Sequence, residues 1–237
     1  MITFFKHTLY IPLYNALAFL ASLVPANDIG IAIIALTLGV KVILSPLQHK
    51  ASKTQSVMKK LEPDLVKIKK ITNKEEQAKK VMELYRAHGI NPFSSILLLF
   101  LQIPIIITLF YVFKNGFELN LGLLYSFTSQ PETINTMFLG LIDIHDRNYI
   151  LAILVGVTQF VQMYLAIPPL PPEDVTKEKT FASDFARSMN IQMRYIMPMV
   201  TLIIAATLPA AISLYWITSN VFAIGHELFV RRLLKAN

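Results

Sequence analysis

Residues 29–47 read IGIAIIALTLGVKVILSPL, an apolar run broken by a single charge, Lys41. Crossing the hydrocarbon core of a bilayer takes about 20 predominantly apolar residues in a helix, and this run has that length. The same pattern recurs outward along the chain. Pro92 to Phe113 and Tyr149 to Ile167 are apolar stretches bounded by charged or proline-rich segments that cannot stay in lipid. The last stretch, Tyr195 to Val230, is too long for one crossing, and Pro209 near its middle marks a turn between two antiparallel helices. Five spans follow. Splitting at Pro209 leaves a fourth span of about 14 residues, roughly 21 Å at the helical rise, which is short enough to imply local bilayer thinning.

Composition agrees with a lipid solvent: of 237 residues, 54% are hydrophobic and 16% charged, too apolar for an ordinary soluble domain. The chain has no cysteine, which excludes a disulfide framework, a thiolate metal site and a lipid-modified cysteine. Its 22 Lys and Arg against 15 Asp and Glu leave a net charge of +7. A basic excess on an apolar protein points to anionic lipid or RNA as a neighbour.

The basic residues are unevenly placed, which is what orients a membrane protein. Eleven of the 22 lie in residues 50–90, two in 114–148, four in 168–194 and three after Val230. The expected architecture is therefore an all-α membrane protein with its N-terminus outside. It has an outer interfacial helix in 1–28 and spans at 29–49, 91–114, 149–167, 195–208 and 209–230. A cytoplasmic antiparallel helical hairpin occupies 50–90, an outer loop 115–148, a cytoplasmic loop 168–194 and a basic cytoplasmic tail 231–237. Within the N-terminal segment, Tyr10 to Val24 reads either as a signal peptide following Lys6 or as an uncleaved outer interfacial helix with Tyr10 and Tyr14 at headgroup level, which fits better because Val24-Pro25-Ala26 is a poor cleavage site.

In the hairpin, Val57, Leu61, Leu65 and Ile68 mark one helical face and Ala78, Val81, Met82 and Tyr85 another. Asn73 with Glu76 three positions on resembles a capping box, and Gly89 is placed to end the second helix. Eleven basic against five acidic residues give the hairpin a local excess of six. Those lysines either satisfy the positive-inside rule and solvate an exposed hairpin, or dock anionic headgroups or ribosomal RNA. With only Tyr85 interleaved, base stacking is not supported.

Lys41 is the most informative residue, since a lysine at the centre of a membrane helix costs about 2.5–3.5 kcal/mol on insertion scales. One reading is snorkelling to the nearby cytoplasmic end; the other is a functional cation. Its company favours the second. Thr37, Lys41, Ser45 and Gln48 form one stripe of the first span. Gln102 lies in the second span, Thr158, Gln159 and Gln162 in the third, and Ser213, Thr218, Ser219 and Asn220 in the fifth. Singly, such groups hydrogen-bond between packed helices. Together, with a cation and no buried carboxylate to neutralise it, they imply a hydrated cavity that would ease a polar segment through hydrocarbon.

Several blocks resemble the YidC/Oxa/Alb membrane insertases in order and spacing: Gly39 through Leu47, Leu61-Glu62-Pro63, His88 through Pro92, and Leu101-Gln102-Ile103-Pro104. Phe138 through Leu141, Val157 through Met163, Tyr195 through Pro198, Leu208-Pro209-Ala210, Leu214-Tyr215-Trp216 and Ser219-Asn220 are similar too. The resemblance implies a five-helix core, a cytoplasmic coiled hairpin, and a hydrophilic groove open to cytoplasm and lipid but closed outside. It carries over Lys41, in a position where the family has arginine, with Gln162 and Trp216 facing the groove. Gln102, Gln159 and Asn220 match family blocks, facing either the groove or a helix contact. Thr37 and Gln48 join the groove from the stripe. The departures are lysine for arginine, Ile96 and Leu98 where the family often has cysteine and proline, and a short basic tail.

What the resemblance implies for partners is nascent membrane proteins, the ribosome and anionic lipids, with the Sec translocon and the signal recognition particle receptor beyond them. No cofactor or metal is implied, and no enzymatic reaction. With neither a transit peptide nor a large domain ahead of the first core span, the chain is expected to be a minimal bacterial plasma-membrane form. The rival from another class is a small-solute or ion transporter using Lys41, against which stand the lack of an internal repeat and of intramembrane acids other than Glu227. A membrane enzyme would need Asp143, His145 and Asp146, which read as a solvated turn.

Overall fold

A computed structural model describes residues 6–68, 71, 73–89, 104–108, 110, 111, 121–126, 128, 134–167 and 188–236. The chain is an all-α membrane protein. Its helices are α1 (Ile11–Leu23), α2 (Ile29–Lys60), α3 (Glu62–Ile68), α4 (Lys74–Ala87), α5 (Tyr149–Ala166), α6 (Met197–Thr207) and α7 (Ala210–Ala236), with a two-strand hairpin of β1 (Met137–Phe138) and β2 (Ile142–Asp143). Three helical runs among the described residues are long and apolar enough to cross a membrane: Ile29–Lys50, Tyr149–Ala166 and Ser188–Thr207. The last of α7's 27 residues extend beyond the expected fifth span. Most of the expected second span lies outside the described residues, although 104–108, 110 and 111 are helical.

Two observations concern helix ends. The first membrane-length run, Ile29–Lys50, agrees with the expected span, but its helix does not stop there: α2 continues to Lys60 with Pro46 inside it. The fourth starts earlier than Tyr195, since the helical run begins at Ser188 and passes through a π-helical turn, Gln192–Ile196, into α6. Its 20 residues reach about 30 Å, so the length argument for bilayer thinning there no longer applies. The turn at Pro209 is where it was expected, with α6 ending at Thr207 and α7 starting at Ala210.

The chain divides into two compact units, residues 1–42 with 103–225, and residues 43–102 with 226–237. In the first, α5, α6 and α7 meet on small side chains: Ala152, Val155 and Ala205 are buried, with Ala206, Trp216 and Ile217 packed on them. Close approach is what small residues permit in lipid, where helix association relies on contact rather than on the hydrophobic effect. Gly156 shows the fit, as a Cβ added there would lie 2.7 Å from Cδ1 and 3.0 Å from Cβ of Leu202. The opposite faces stay apolar and open, with Ile150 70% and Met199 68% exposed. A surface of that kind has lipid for solvent.

The ends of these helices are fastened by polar groups that sequence inspection passed over. Asp28 precedes α2 and is buried. Its Oδ1 accepts from the Gly30 and Ile31 amides at 2.8 and 3.2 Å, an N-cap, while Oδ2 accepts from the Leu139 amide at 2.7 Å. Asn135 pairs alongside, its carbonyl accepting from the Ile29 amide and its amide donating to the Asn27 carbonyl, both at 3.1 Å. Phe138 packs on Gly30, where an added Cβ would collide with its ring. The carbonyls of Asp146 and Ile144 take the first amides of α7, Ala210 and Ala211, at 2.8 and 3.0 Å, filling acceptor roles that a helix start leaves open.

In α1, buried Asn15 donates to the carbonyls of Ile11 and Leu123 at 2.9 and 2.8 Å and accepts from the Tyr125 amide and the Thr128 hydroxyl at 2.7 and 3.1 Å. Tyr14 is buried and stacks on Tyr10 at 6.0 Å between ring centroids.

The second unit holds the hairpin, in which α3 and α4 touch. Asn73 caps α4, its side chain accepting from the Glu75 and Glu76 amides at 2.9 and 3.3 Å. Glu76 pairs with Lys80 at 2.8 Å. Gly89, at φ +64°, follows the helix end. Leu61 is buried and Val57, Leu65 and Ile68 half-buried, but on α4 the covered stripe is Gln77, Val81, Leu84 and Tyr85, leaving Ala78 and Met82 exposed. The spacing admitted either stripe, and contact with α3 selects this one.

Candidate functional site

Lys41 lies one turn beyond Thr37 on α2. Thr37 is buried and its hydroxyl donates to the Ile33 carbonyl at 2.7 Å, so it is satisfied by its own helix. Lys41 is half-buried, between exposed Leu38 and Val42. The buried carboxylate of Asp28 stands 13 residues back from Lys41, about 20 Å of helix, with three backbone amides occupying its oxygens. Gln48 is half-buried and belongs to the second unit. Beside it, the rings of His49 and His226 meet edge-on at 5.8 Å. Glu227 pairs with Arg231 at 2.9 Å.

The polar residues of the third and fifth spans come together. Asn220 Nδ2 donates to Thr158 Oγ1 at 3.2 Å, joining α7 to α5. Thr158 in turn donates to the carbonyls of its own helix, Leu154 at 2.8 Å and Val155 at 3.1 Å. Gln159 Nε2 donates to Gln162 Oε1 at 3.1 Å, and both side chains are half-buried. Trp216, one turn before Asn220, packs on the Ala152, Val155 and Ala205 cluster. Buried Ser213 has no hydrogen-bond partner for its hydroxyl among the described residues. Gln102 lies outside the described residues. The arrangement offers amide and hydroxyl groups for hydrogen bonding and the Lys41 cation, with no nucleophile and base in contact among the described residues.

Asp143, His145 and Asp146 form a turn. Asp143 accepts from the His145 amide at 3.0 Å, and Asp146 gives its carbonyl to Ala210.

One charged residue escaped the sequence reading. Arg194 counts toward the basic loop by composition, yet it is 5% exposed, with its guanidinium 4.1 Å from the ring centroid of Tyr164. The available signal was its spacing from the following apolar run, which allows the helix to start before it.

The model of the 60Kd inner membrane protein family matches residues 19–237. The chain belongs to that family. Among similar proteins, the "Membrane protein insertase YidC" of Fusobacterium nucleatum is 33% identical over 228 residues, covering 93% of this chain and 97% of the relative. The protein of the same name from Clostridium tetani is 32% identical, covering 91% and 88%. A longer relative so named, from Wolinella succinogenes, is 31% identical and is matched over 34% of its length. Within this family, Lys41, Thr158, Gln159, Gln162, Trp216 and Asn220 all fall in the matched region.

Proposed function

We propose that the chain is a membrane protein insertase that moves nascent transmembrane segments and short outer segments into the bilayer through a hydrophilic, positively charged groove. The observation that carries this reading is the end-to-end similarity to relatives named as insertases. In this reading the chain crosses a bacterial plasma membrane five times, with its N-terminus outside and its C-terminus in the cytoplasm. The basic hairpin docks the ribosome and anionic lipid, and the Sec translocon and signal recognition particle receptor are further partners.

The obstacle in insertion is the passenger's polar flank. An Asp at the centre of a membrane helix costs about 2.5–3.5 kcal/mol on an insertion scale. Lys41 attracts such a carboxylate, while Gln162, Gln159, Asn220, Gln102, Thr37 and Gln48 replace part of its hydration. Trp216 offers the passenger's apolar segment a flat face. Lysine gives attraction without the bidentate fork of arginine, so the acid is drawn in and released rather than clamped. No bond is made or broken.

The test is insertion into liposomes holding only this protein. A one- or two-span passenger with a short acidic outer segment is translated and its protease protection read, with Lys41→Ala and Lys41→Glu alongside. Protection well above empty liposomes, reduced most by the glutamate variant, is expected. Protection equal to empty liposomes overturns independent insertion. Ion flux through the same vesicles that depends on Lys41 would instead establish the transporter reading.

A further inference from the structure

Arg194 sits six residues inside the helical run Ser188–Thr207, about 9 Å along it. Tyr164, two residues from the end of α5, lies under its guanidinium at 4.1 Å, and Tyr195 lies at 5.8 Å. Phe160 closes the cluster, 6.0 Å from Tyr164 and 6.1 Å from Tyr195 between ring centroids. Stacking on aromatic faces holds the plane of the guanidinium but leaves its in-plane N–H edge for an acceptor. That edge lacks one: Nε is buried with no hydrogen-bond partner, and Arg194 makes no ion pair among the described residues. A buried donor left unmade costs about 1–3 kcal/mol, more when charged, so an anionic acceptor is missing from the cluster.

Position decides which anion. The cluster is at the end of two membrane-length helical runs, and Tyr164 and Tyr195 are 53% and 47% exposed. Tyrosines so placed mark the headgroup level, where phosphodiester is the abundant anion. The guanidinium fork matches a phosphate bidentately. Successive residues of a helix turn by about 100°, which puts Phe160 and Tyr164 about 200° around α5 from Thr158 and Gln162. The cluster therefore faces away from the polar stripe and is separate from the proposed passenger groove. We propose that Arg194, framed by Phe160, Tyr164 and Tyr195, holds the phosphodiester of one anionic phospholipid at the end of the third and fourth membrane helices. With no carboxylate among these residues the site keeps its positive charge, which selects phosphatidylglycerol over zwitterionic phosphatidylcholine.

Native mass spectrometry of the full chain, titrated with phosphatidylglycerol, tests this. The intact protein is expected to retain one tightly held phosphatidylglycerol, and Arg194→Gln to hold it about tenfold more weakly, with the weaker sites on the lysine-rich hairpin unchanged. Phosphatidylcholine is expected to show no difference between the two proteins, and excess glycerol 3-phosphate no displacement. Should Arg194→Gln fail to fold, Arg194→Lys decides, because it keeps the charge and loses the fork: retention at least threefold weaker supports the site, and equal retention overturns it. Unaltered retention in a folded Arg194→Gln also overturns it. Displacement by glycerol 3-phosphate overturns it in favour of a soluble phosphate, and equal weakening for phosphatidylcholine overturns the selectivity for an anionic lipid in favour of any phosphodiester headgroup.

Discussion

Replacing Asp28 by alanine removes both ends of a clamp. Oδ1 caps α2 through the Gly30 and Ile31 amides, and Oδ2 takes the Leu139 amide across 111 residues of sequence. Loss of an N-cap costs about 1 kcal/mol, and an amide left without an acceptor costs about 1–3 kcal/mol, so Asp28→Ala is expected to lose about 2–4 kcal/mol in all. Asp28→Asn discriminates the two halves. Its one remaining oxygen can keep the cap, while its NH2 meets the Leu139 N–H donor to donor, so only the second cost applies. Leu139 sits at φ +55°, a conformation that needs outside support. Hydrogen exchange of the purified protein reads this directly. With tenfold for every 1.4 kcal/mol, a loss of 2 kcal/mol speeds local opening at the Leu139 amide by about 30-fold. The Asn135 amide bonds the Asn27 carbonyl and is expected to stay protected within about threefold, since under 0.7 kcal/mol reaches it. Unchanged exchange at Leu139 in Asp28→Ala, or uniform loss of protection over 134–143, would refute this account.

Three other substitutions probe the same physics elsewhere. Gly156→Val forces α5 from Leu202, and overpacking of this kind costs about 1–3 kcal/mol; thermal unfolding in detergent should show a fall that is partly restored when Leu202→Ala is added. Asn220→Leu removes the bond between α7 and α5, and because interhelical hydrogen bonds in membranes average about 0.6 kcal/mol, a double-mutant cycle with Thr158→Val should give a coupling no larger than about 1.7 kcal/mol. Asn73→Ala uncaps α4 at a cost of about 1 kcal/mol, and faster exchange at the Glu75 and Glu76 amides, with no change in α5, is the expected readout.

What could be read from the sequence was local. The apolar runs at 29–47 and 149–167 place two membrane helices, and Asn73 with Gly89 bounds a hairpin helix. The turn at Pro209 follows from its missing N–H. Helices reach further than the apolar runs at α2, which continues to Lys60, and before Tyr195, where the run begins at Ser188, because hydropathy marks where lipid begins and not where helical hydrogen bonding stops. Among the candidate site residues, the Thr158 to Asn220 contact bridges 62 residues, and periodicity could place each on a face but could not pair them.

The sequence by itself determined the solvent, the helices and the excess of positive charge in the hairpin, since each depends on residues within a few turns of one another. Only the tertiary structure decided which polar groups are satisfied and by whom. Asp28 and Asn15 look like ordinary loop and helix residues until Leu139 and Tyr125 arrive from more than 100 residues away. Arg194 looks like one more basic loop residue until Tyr164 covers it. Burying a polar group costs free energy that only a specific partner offsets, and in a folded chain that partner is set by packing rather than by sequence neighbours.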